Sequence, residues 1–187
     1  MNNKMNWFNL LFLLALSCLF STRLFAQSEV KHGFDVEIDP IAFALNGFSL
    51  HGGYLTGPWR FDLGIFGLDI PEWAHGNEGF KVSARGTGWK ADRFLRGLSD
   101  GFFIGVEGNV TKTSITHSLS DDNRSATEFS LGIRGGYRWN TGLGNLYVTP
   151  WLGLGYILNA KDVTINGEVF KTSPFQPFPT VHIGWTF

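Results

Sequence analysis

Two histidines and a short acidic run are the side chains whose types and spacing could do chemistry. His51 and His182 lie in two segments of alternating apolar and polar residues, and a third segment carries Asp35, Glu37 and Asp39 on one face. An imidazole beside a carboxylate can bind a metal ion or transfer a proton. The chain has no dense ligand motif such as HExxH, so we expect neither a metal nor a cofactor.

Eight segments with a period of two residues must position these side chains. Such alternation is typical of strands with two different faces, and Asn46-Gly47 and Gly57-Pro58 are turn signals between them. The pattern therefore predicts an all-β, eight-stranded antiparallel up-and-down barrel. The predicted strands are residues 34–45, 48–56, 59–70, 80–95, 102–117, 125–139, 146–158 and 178–187.

Connection lengths divide the predicted barrel into two ends. An even strand number puts both termini at one end, together with three short turns, while most connections at the other end are longer. The longest connection, residues 160–177, is expected to hold a small hairpin at Asn166-Gly167. Pro40 and Pro150 fall inside predicted strands, where each removes a ladder donor, so we expect a bulge at each, or one of them at an imperfect seam of the barrel.

The first 26 residues resemble a secretory signal peptide. Lys4 precedes an apolar run too short for a comfortable spanning helix, and Leu24-Phe25-Ala26 offers a cleavage site. Lipidation at Cys18 is a minor alternative. Removal of residues 1–26 would leave residues 27–187 as one domain without cysteine. That domain would have 13 basic and 16 acidic residues, a formal charge of −3, which does not favour nucleic-acid binding.

The end of the sequence carries the most specific signal. Val181, Ile183, Trp185 and Phe187 alternate with Thr180, His182, Gly184 and Thr186, as a strand facing lipid on one side and a lumen on the other would. With the signal-like start and eight segments, the chain resembles small eight-stranded bacterial outer-membrane β-barrel proteins. The resemblance implies localisation to the outer membrane. It also implies outer-membrane lipid as a partner, and an assembly machinery that recognises Val181, Ile183, Trp185 and Phe187.

If the apolar faces point to lipid, a polar set collects in the lumen. An eight-stranded barrel is just wide enough for side chains to fill it, and buried charges must pair. We therefore expect a structural network of ion pairs and hydrogen bonds, with Lys90 and Asp92 as further candidates and a narrow pore as the alternative. The predicted members are Asp35, Glu37, Asp39, His51, Arg60, Asp62, Glu107, Glu128, Arg134, Arg138 and His182.

An enzymatic alternative rests on a polar loop. His117, Ser118, Ser120 and Glu128 are similar in type to the His, Ser and Glu used by outer-membrane lipid A deacylases, although their spacing differs. Serine and aspartate are also ordinary turn formers, so no catalytic residue is assigned. A soluble lipocalin-like barrel, with an apolar interior and a polar outer face, is the alternative architecture.

Aromatic residues fall into two groups. Those near strand ends predict an interfacial belt, and those in two long connections predict loop packing over the barrel mouth or a partner surface. We expect a structural role or binding of a surface ligand through the outer loops, rather than catalysis. The belt group is Trp59, Trp89, Tyr137, Trp139, Trp185 and Phe187, and the loop group is Trp73, His75, Phe80, Phe170, Phe175 and Phe178.

Overall fold

The computed structural model describes residues 32–97 and 99–187. Eight antiparallel strands close into a ring, which confirms the predicted all-β up-and-down barrel. The predicted signal peptide, residues 1–26, lies outside the described residues. None of the described helices is long and apolar enough to cross a membrane. The barrel strands are β1 (His32–Ile38), β2 (Phe48–Thr56), β3 (Trp59–Ile70), β4 (Phe80–Phe94), β5 (Gly101–His117), β6 (Asn123–Asn140), β7 (Leu146–Ile157) and β10 (Phe175–Thr186). The additional elements are helices α1 (Pro40–Ala44) and α2 (Glu72–His75), and the hairpin strands β8 (Val163–Ile165) and β9 (Glu168–Phe170).

Each barrel strand sends alternate side chains inward and outward. On β3, Arg60 and Asp62 are buried inside the barrel, whereas Phe61 and Leu63 are exposed on its outer surface. The barrel has two ends, which we call the loop end and the turn end. The loop end holds α1, α2, the β5–β6 connection and the β8–β9 hairpin. The turn end holds the β2–β3, β4–β5 and β6–β7 connections.

The first predicted strand is too long. It was expected to run over residues 34–45, but β1 ends at Ile38 and α1 begins at Pro40. Asp39 caps this helix by accepting a hydrogen bond from the Ile41 N–H at 2.8 Å, and proline is well suited to the first helical position. The bulge expected at Pro40 is therefore wrong, because a capped helix replaces the strand.

Pro150 lies in β7 without a bulge. Gly136 faces Trp151 and Trp139 faces Val148, so the register between β6 and β7 is the same on both sides of the proline. Between these two positions the strands are not paired by hydrogen bonds. The Leu158 N–H donates to Phe129 on β6, which shows that even-numbered residues here point their N–H toward β6. The N–H that Pro150 lacks would therefore point toward β6 within this unpaired stretch. Its absence breaks no bond of the pairing, and the register does not shift.

The last barrel strand starts earlier than predicted and contains two prolines. β10 begins at Phe175 rather than at residue 178, and Pro177 and Pro179 pair in register with β7. Odd-numbered residues of β10 point their N–H toward β1, as the Phe187 bond to Phe34 shows. The prolines therefore remove no ladder bond to β7. They remove none to β1 either, because β1 has already ended at this level.

A hairpin covers the loop end. β8 and β9 form it around Asn166-Gly167, as predicted, and both turn residues have positive φ, at 52° and 83°. Glycine adopts such a backbone conformation without steric cost. The hairpin inserts Ile165 and Phe170 into the barrel mouth. They complete an apolar cluster with Phe80, Val82 and Ile115.

A second apolar cluster lies toward the turn end. Leu55, Phe94, Phe103 and Trp151 are buried there beside the charged side chains. Together the two clusters and the charges between and beside them fill the interior.

Candidate functional site

Arg60 is the centre of a charged network inside the barrel. Its Nη2 atom lies 2.7 Å from Asp35 Oδ1, 3.1 Å from Glu37 Oε2 and 2.9 Å from Asp62 Oδ2. The residue is only 1 % exposed. A guanidinium presents five donors in a fixed plane, which suits it to several carboxylates at once. Arg60 therefore joins β1 and β3 from within the ring.

Two more arginines extend the network and rest on aromatic rings. Arg138 on β6 lies 3.0 Å from Asp35 Oδ2 and 3.9 Å from the centre of the Tyr147 ring. Arg134 lies 3.3 Å from Asp92 Oδ1 and 3.9 Å from the Trp151 ring. A cation over an aromatic face is attracted by the ring quadrupole, most strongly where water is excluded.

The two histidines sit on either side of β1. His182 Nδ1 is 2.9 Å from Glu37 Oε2, and His51 Nδ1 is 3.0 Å from Asp62 Oδ1. Lys90 Nζ lies 3.0 Å from the same Asp62 oxygen. The two imidazole rings are 5.1 Å apart. Within the described residues, no three His, Cys, Asp or Glu side chains are arranged to hold a metal ion.

Three of the expected lumen residues stand apart from this network. Asp39 caps α1 and accepts a 2.7 Å hydrogen bond from Thr180 Oγ1. Glu128 is half-buried and accepts from Thr113 Oγ1 at 2.8 Å. Glu107 is buried, but it has no ion pair within 4.0 Å among the described residues. None of the three makes an ion pair with the Arg60 cluster among the described residues, although Glu107 lies directly opposite Lys90 across the β4–β5 pairing.

Aromatic side chains on β7, which are absent from the predicted lumen set, form one side of the network. Tyr147 and Trp151 lie on the inner face of β7 with Thr149 between them, and all three are buried. Their period of two residues was the available signal. Gly184 makes room for one of these rings, because a Cβ atom at that position would collide with Tyr147.

The outer surface between the two ends is apolar. Most of the expected belt residues are exposed there, including Trp89, Trp139 and Trp185, while Trp59 is half-buried. Between them the strands expose aliphatic and aromatic side chains to the surroundings. Prominent examples are Phe61, Leu63, Ile65, Ile104, Leu131, Ile133, Leu152 and Leu154.

The connections at the loop end bond to one another. Asn77 Oδ1 accepts from the Lys171 N–H at 2.7 Å, and Asn77 Nδ2 donates to the Lys171 carbonyl at 3.1 Å. The His75 ring lies 5.5 Å from that of Phe170. Burial lowers the pKa of His75, and Glu72 partly offsets this effect. These bonds hold residues 71–79 and 158–174 as one platform, which we call the loop platform.

The aromatic residues predicted for the loops occupy different environments in the structure. Phe80 and Phe170 are buried in the cluster under the hairpin. Phe178 lies beside Trp151, at 5.6 Å between ring centres, but both Phe178 and Phe175 are exposed. Trp73 is 84 % exposed. Loop packing therefore accounts for Phe80 and Phe170, and Trp73 is left on the surface of the loop platform.

A second polar group lies where the loop platform meets β5. His117 Nδ1 is 3.1 Å from Ser120 Oγ, and His117 Nε2 is 3.5 Å from Glu168 Oε2 on the hairpin. Ser118 is exposed, with its N–H donating to the Gly79 carbonyl. The structure therefore brings His117 and Ser120 together, and the carboxylate beside them is Glu168 rather than Glu128.

These features define a class: a closed eight-stranded antiparallel β-barrel with an apolar outer belt, a filled charged interior and an ordered loop platform. No protein-family model matches the chain, and no curated protein matches it. Among solved structures, it is similar to the Neisserial surface protein A (NspA). That similarity has a TM-score of 0.47 and 15 % sequence identity, covering 83 % of this chain and 96 % of that one.

Proposed function

We propose that this chain is a small outer-membrane β-barrel protein whose interior is structural and whose loop platform binds a ligand at the cell surface. The observation that carries the proposal is the distribution of polarity. Exposed aliphatic and aromatic side chains surround the barrel, and a cluster of charged side chains that includes Asp35, Arg60 and Asp62 is buried inside. This is the arrangement that lipid on the outside requires. A soluble barrel of the lipocalin type would be expected to have the opposite distribution.

The filled interior supports a structural role rather than conduction. Asp35, Glu37, Arg60 and His182 are each at most 2 % exposed, and the hairpin closes the mouth above them. Side chains that fill an eight-stranded barrel leave no continuous path for solute. The loop platform, with Trp73 on its surface, is then the part available to a surface ligand. Lipid and the outer-membrane assembly machinery are the other expected partners.

Heat-modifiable gel migration tests this proposal. The protein from a purified outer-membrane fraction should run faster unboiled than boiled, because a closed barrel resists detergent until it is heated. Recovery in the soluble periplasmic fraction, with one band position before and after boiling, would contradict it. Solubilised protein that has been unfolded in urea is the control, since it should run at the boiled position without heating.

A further inference from the structure

Two cations face each other on the outer wall of the barrel. Arg85 on β4 and Lys112 on β5 are directly opposite in the antiparallel pairing, and both side chains are exposed. Their Cβ atoms are therefore about 4.5–5.5 Å apart, and like charges in this arrangement destabilise a sheet. We propose that this pair binds the phosphate group of a lipid in the outer leaflet, an inference that rests on the outer-membrane barrel of the proposed function.

No carboxylate of the described chain neutralises the pair. Neither Arg85 nor Lys112 has an Asp or Glu oxygen within 4.0 Å among the described residues. The outward carboxylate of β3, Asp69, is opposite Ser83 rather than Arg85, and the Asn46 side-chain amide donates to it at 3.4 Å. An anion from outside the chain would remove the repulsion between two cations that the fold holds together.

The level of the pair along the strands indicates the headgroup region of a membrane. The outward side chains of β5 are apolar from Phe102 to Val110, and Lys112 is the next outward position toward the loop end. A tilted strand needs about 9–11 residues to cross the hydrocarbon core, so the apolar stretch has the length of one crossing. Lys112 and Arg85 therefore lie where the hydrocarbon ends on the loop-end side.

The wall beside the pair suits the acyl chains of the same molecule. The next row toward the turn end joins Ile65, Thr87, Val110 and Phe129 across four strands. Ile65, Val110 and Phe129 are exposed apolar side chains. A lipid whose phosphate is held by the cations can lay its chains against this row. The combination of a cationic row and an apolar row therefore favours a lipid over a free anion.

Arg85 is packed against the wall in the way that a membrane interface requires. A Cβ atom at Gly67, the residue opposite Arg85 on β3, would lie 3.1 Å from Arg85 Cγ and 2.8 Å from the Phe48 ring. The aliphatic part of Arg85 thus rests on β3 beside an aromatic ring. Long basic side chains at membrane interfaces bury their stems against apolar surface and keep the charge in the polar layer.

The two side chains complement each other as ligands of a phosphate. A guanidinium matches two phosphate oxygens with two parallel N–H groups, and an ammonium adds a compact point charge. Thr127 is opposite Lys112 on β6, and a row of serines follows toward the loop end. Their hydroxyls can donate to the phosphate or to the rest of the headgroup. The serines of this row are Ser83, Ser114 and Ser125.

Two lipids with identical acyl chains test the proposal on the full chain folded in a non-ionic detergent. Dioleoyl phosphatidic acid carries a phosphate, and dioleoylglycerol lacks it. Titration followed by native mass spectrometry should show phosphatidic acid bound about 25-fold more tightly, at about fivefold for each cation. Glycerol phosphate, which has no acyl chain, should not displace it at equal concentration. Full displacement would show a site for free phosphate and overturn the lipid assignment.

Two double variants with the same change in net charge separate a site from general electrostatic attraction. Arg85→Gln with Lys112→Gln should reduce the affinity for phosphatidic acid to that for dioleoylglycerol. Lys81→Gln with Arg124→Gln removes two exposed cations nearer the loop end and should leave the affinity unchanged. An equal loss of affinity in both double variants would overturn the proposal.

Lys112→Glu tests the same pair without leaving a cation unopposed. It places an opposite charge directly across from Arg85, so it should abolish the preference for phosphatidic acid while the heat-modifiable migration is kept. A preserved preference would overturn the proposal. Wild-type protein that shows the migration shift but no lipid preference would overturn this site alone. Wild-type protein without the shift would overturn the outer-membrane barrel and, with it, the lipid-phosphate site.

Discussion

At the scale of single residues, Arg60 shows how the interior depends on charge balance. Its guanidinium contacts Asp35, Glu37 and Asp62, and all four side chains are buried. Alternation along the strands predicts that these residues share the inner face. It does not predict their pairing, because the partners are decided by ring closure. Arg138 meets Asp35 across 103 positions of sequence only because β6 and β1 face each other across the interior.

Arg60→Ala should therefore destabilise the barrel by about 3–5 kcal/mol, since three buried carboxylates lose a shared cation. The free energy of unfolding in urea, measured in lipid vesicles, checks this value. Arg124→Ala is the matched control, because Arg124 is exposed and its side chain bonds, among the described residues, only to the neighbouring Asn123 carbonyl. Equal stability of the two variants would show that the network contributes nothing to folding.

At the scale of elements, turn chemistry was the most reliable guide. Asn166-Gly167 predicted the β8–β9 hairpin because two successive residues with positive φ suit Asn and Gly. Strand alternation, in contrast, misled at Asp39-Pro40. The predicted first strand continued through these residues, whereas Asp39 caps and Pro40 begins a helix. A period of two residues predicts which side chains share a face of a strand. It does not show whether a capped helix is more stable than the strand at that point.

The hairpin should control access to the interior from the loop end. In a Cys18→Ser background, Ile115→Cys places a lone thiol beneath the hairpin, where Ile115 is 2 % exposed. Replacing residues 163–170 with a Gly-Ser linker should raise its rate of reaction with a water-soluble thiosulfonate on the order of tenfold or more. A thiol at Leu119, already exposed, should react at the same rate with and without the hairpin. An unchanged rate at position 115 would show that the hairpin is not the barrier.

At the scale of the whole molecule, the barrel is defined by two surfaces of opposite polarity. The sequence predicted the alternation that creates them, but alternation alone assigns neither surface to the inside. Closure of the sheet makes that assignment, because it buries Arg60 and Asp62 and exposes Phe61 and Leu63. The contacts between the loop connections could not be predicted, since Asn77 and Lys171 are 94 positions apart and their meeting depends on the completed ring.

Ile133→Arg tests whether lipid covers the outer surface. Ile133 is 66 % exposed on β6, flanked by Val106 and Leu154 on the neighbouring strands. A charge near the bilayer midplane should cost about 2–4 kcal/mol in the free energy of unfolding from vesicles. Leu119→Arg, on the loop end, should cost little. Equal and small effects at both positions would indicate that water, rather than lipid, surrounds the barrel.

The early end of β1 leaves part of the barrel wall without a partner strand. Between Phe175 and Thr180, β10 pairs with β7 on one side, and no described strand joins it on the other. An unpaired strand edge is a template on which a second chain can polymerise. Pro177 and Pro179 lie on this edge with their missing N–H groups on its free side, so two of the donors that such growth requires are absent. The two prolines thus act as protection against self-association, and they let the ring be completed by a helix where a strand is absent.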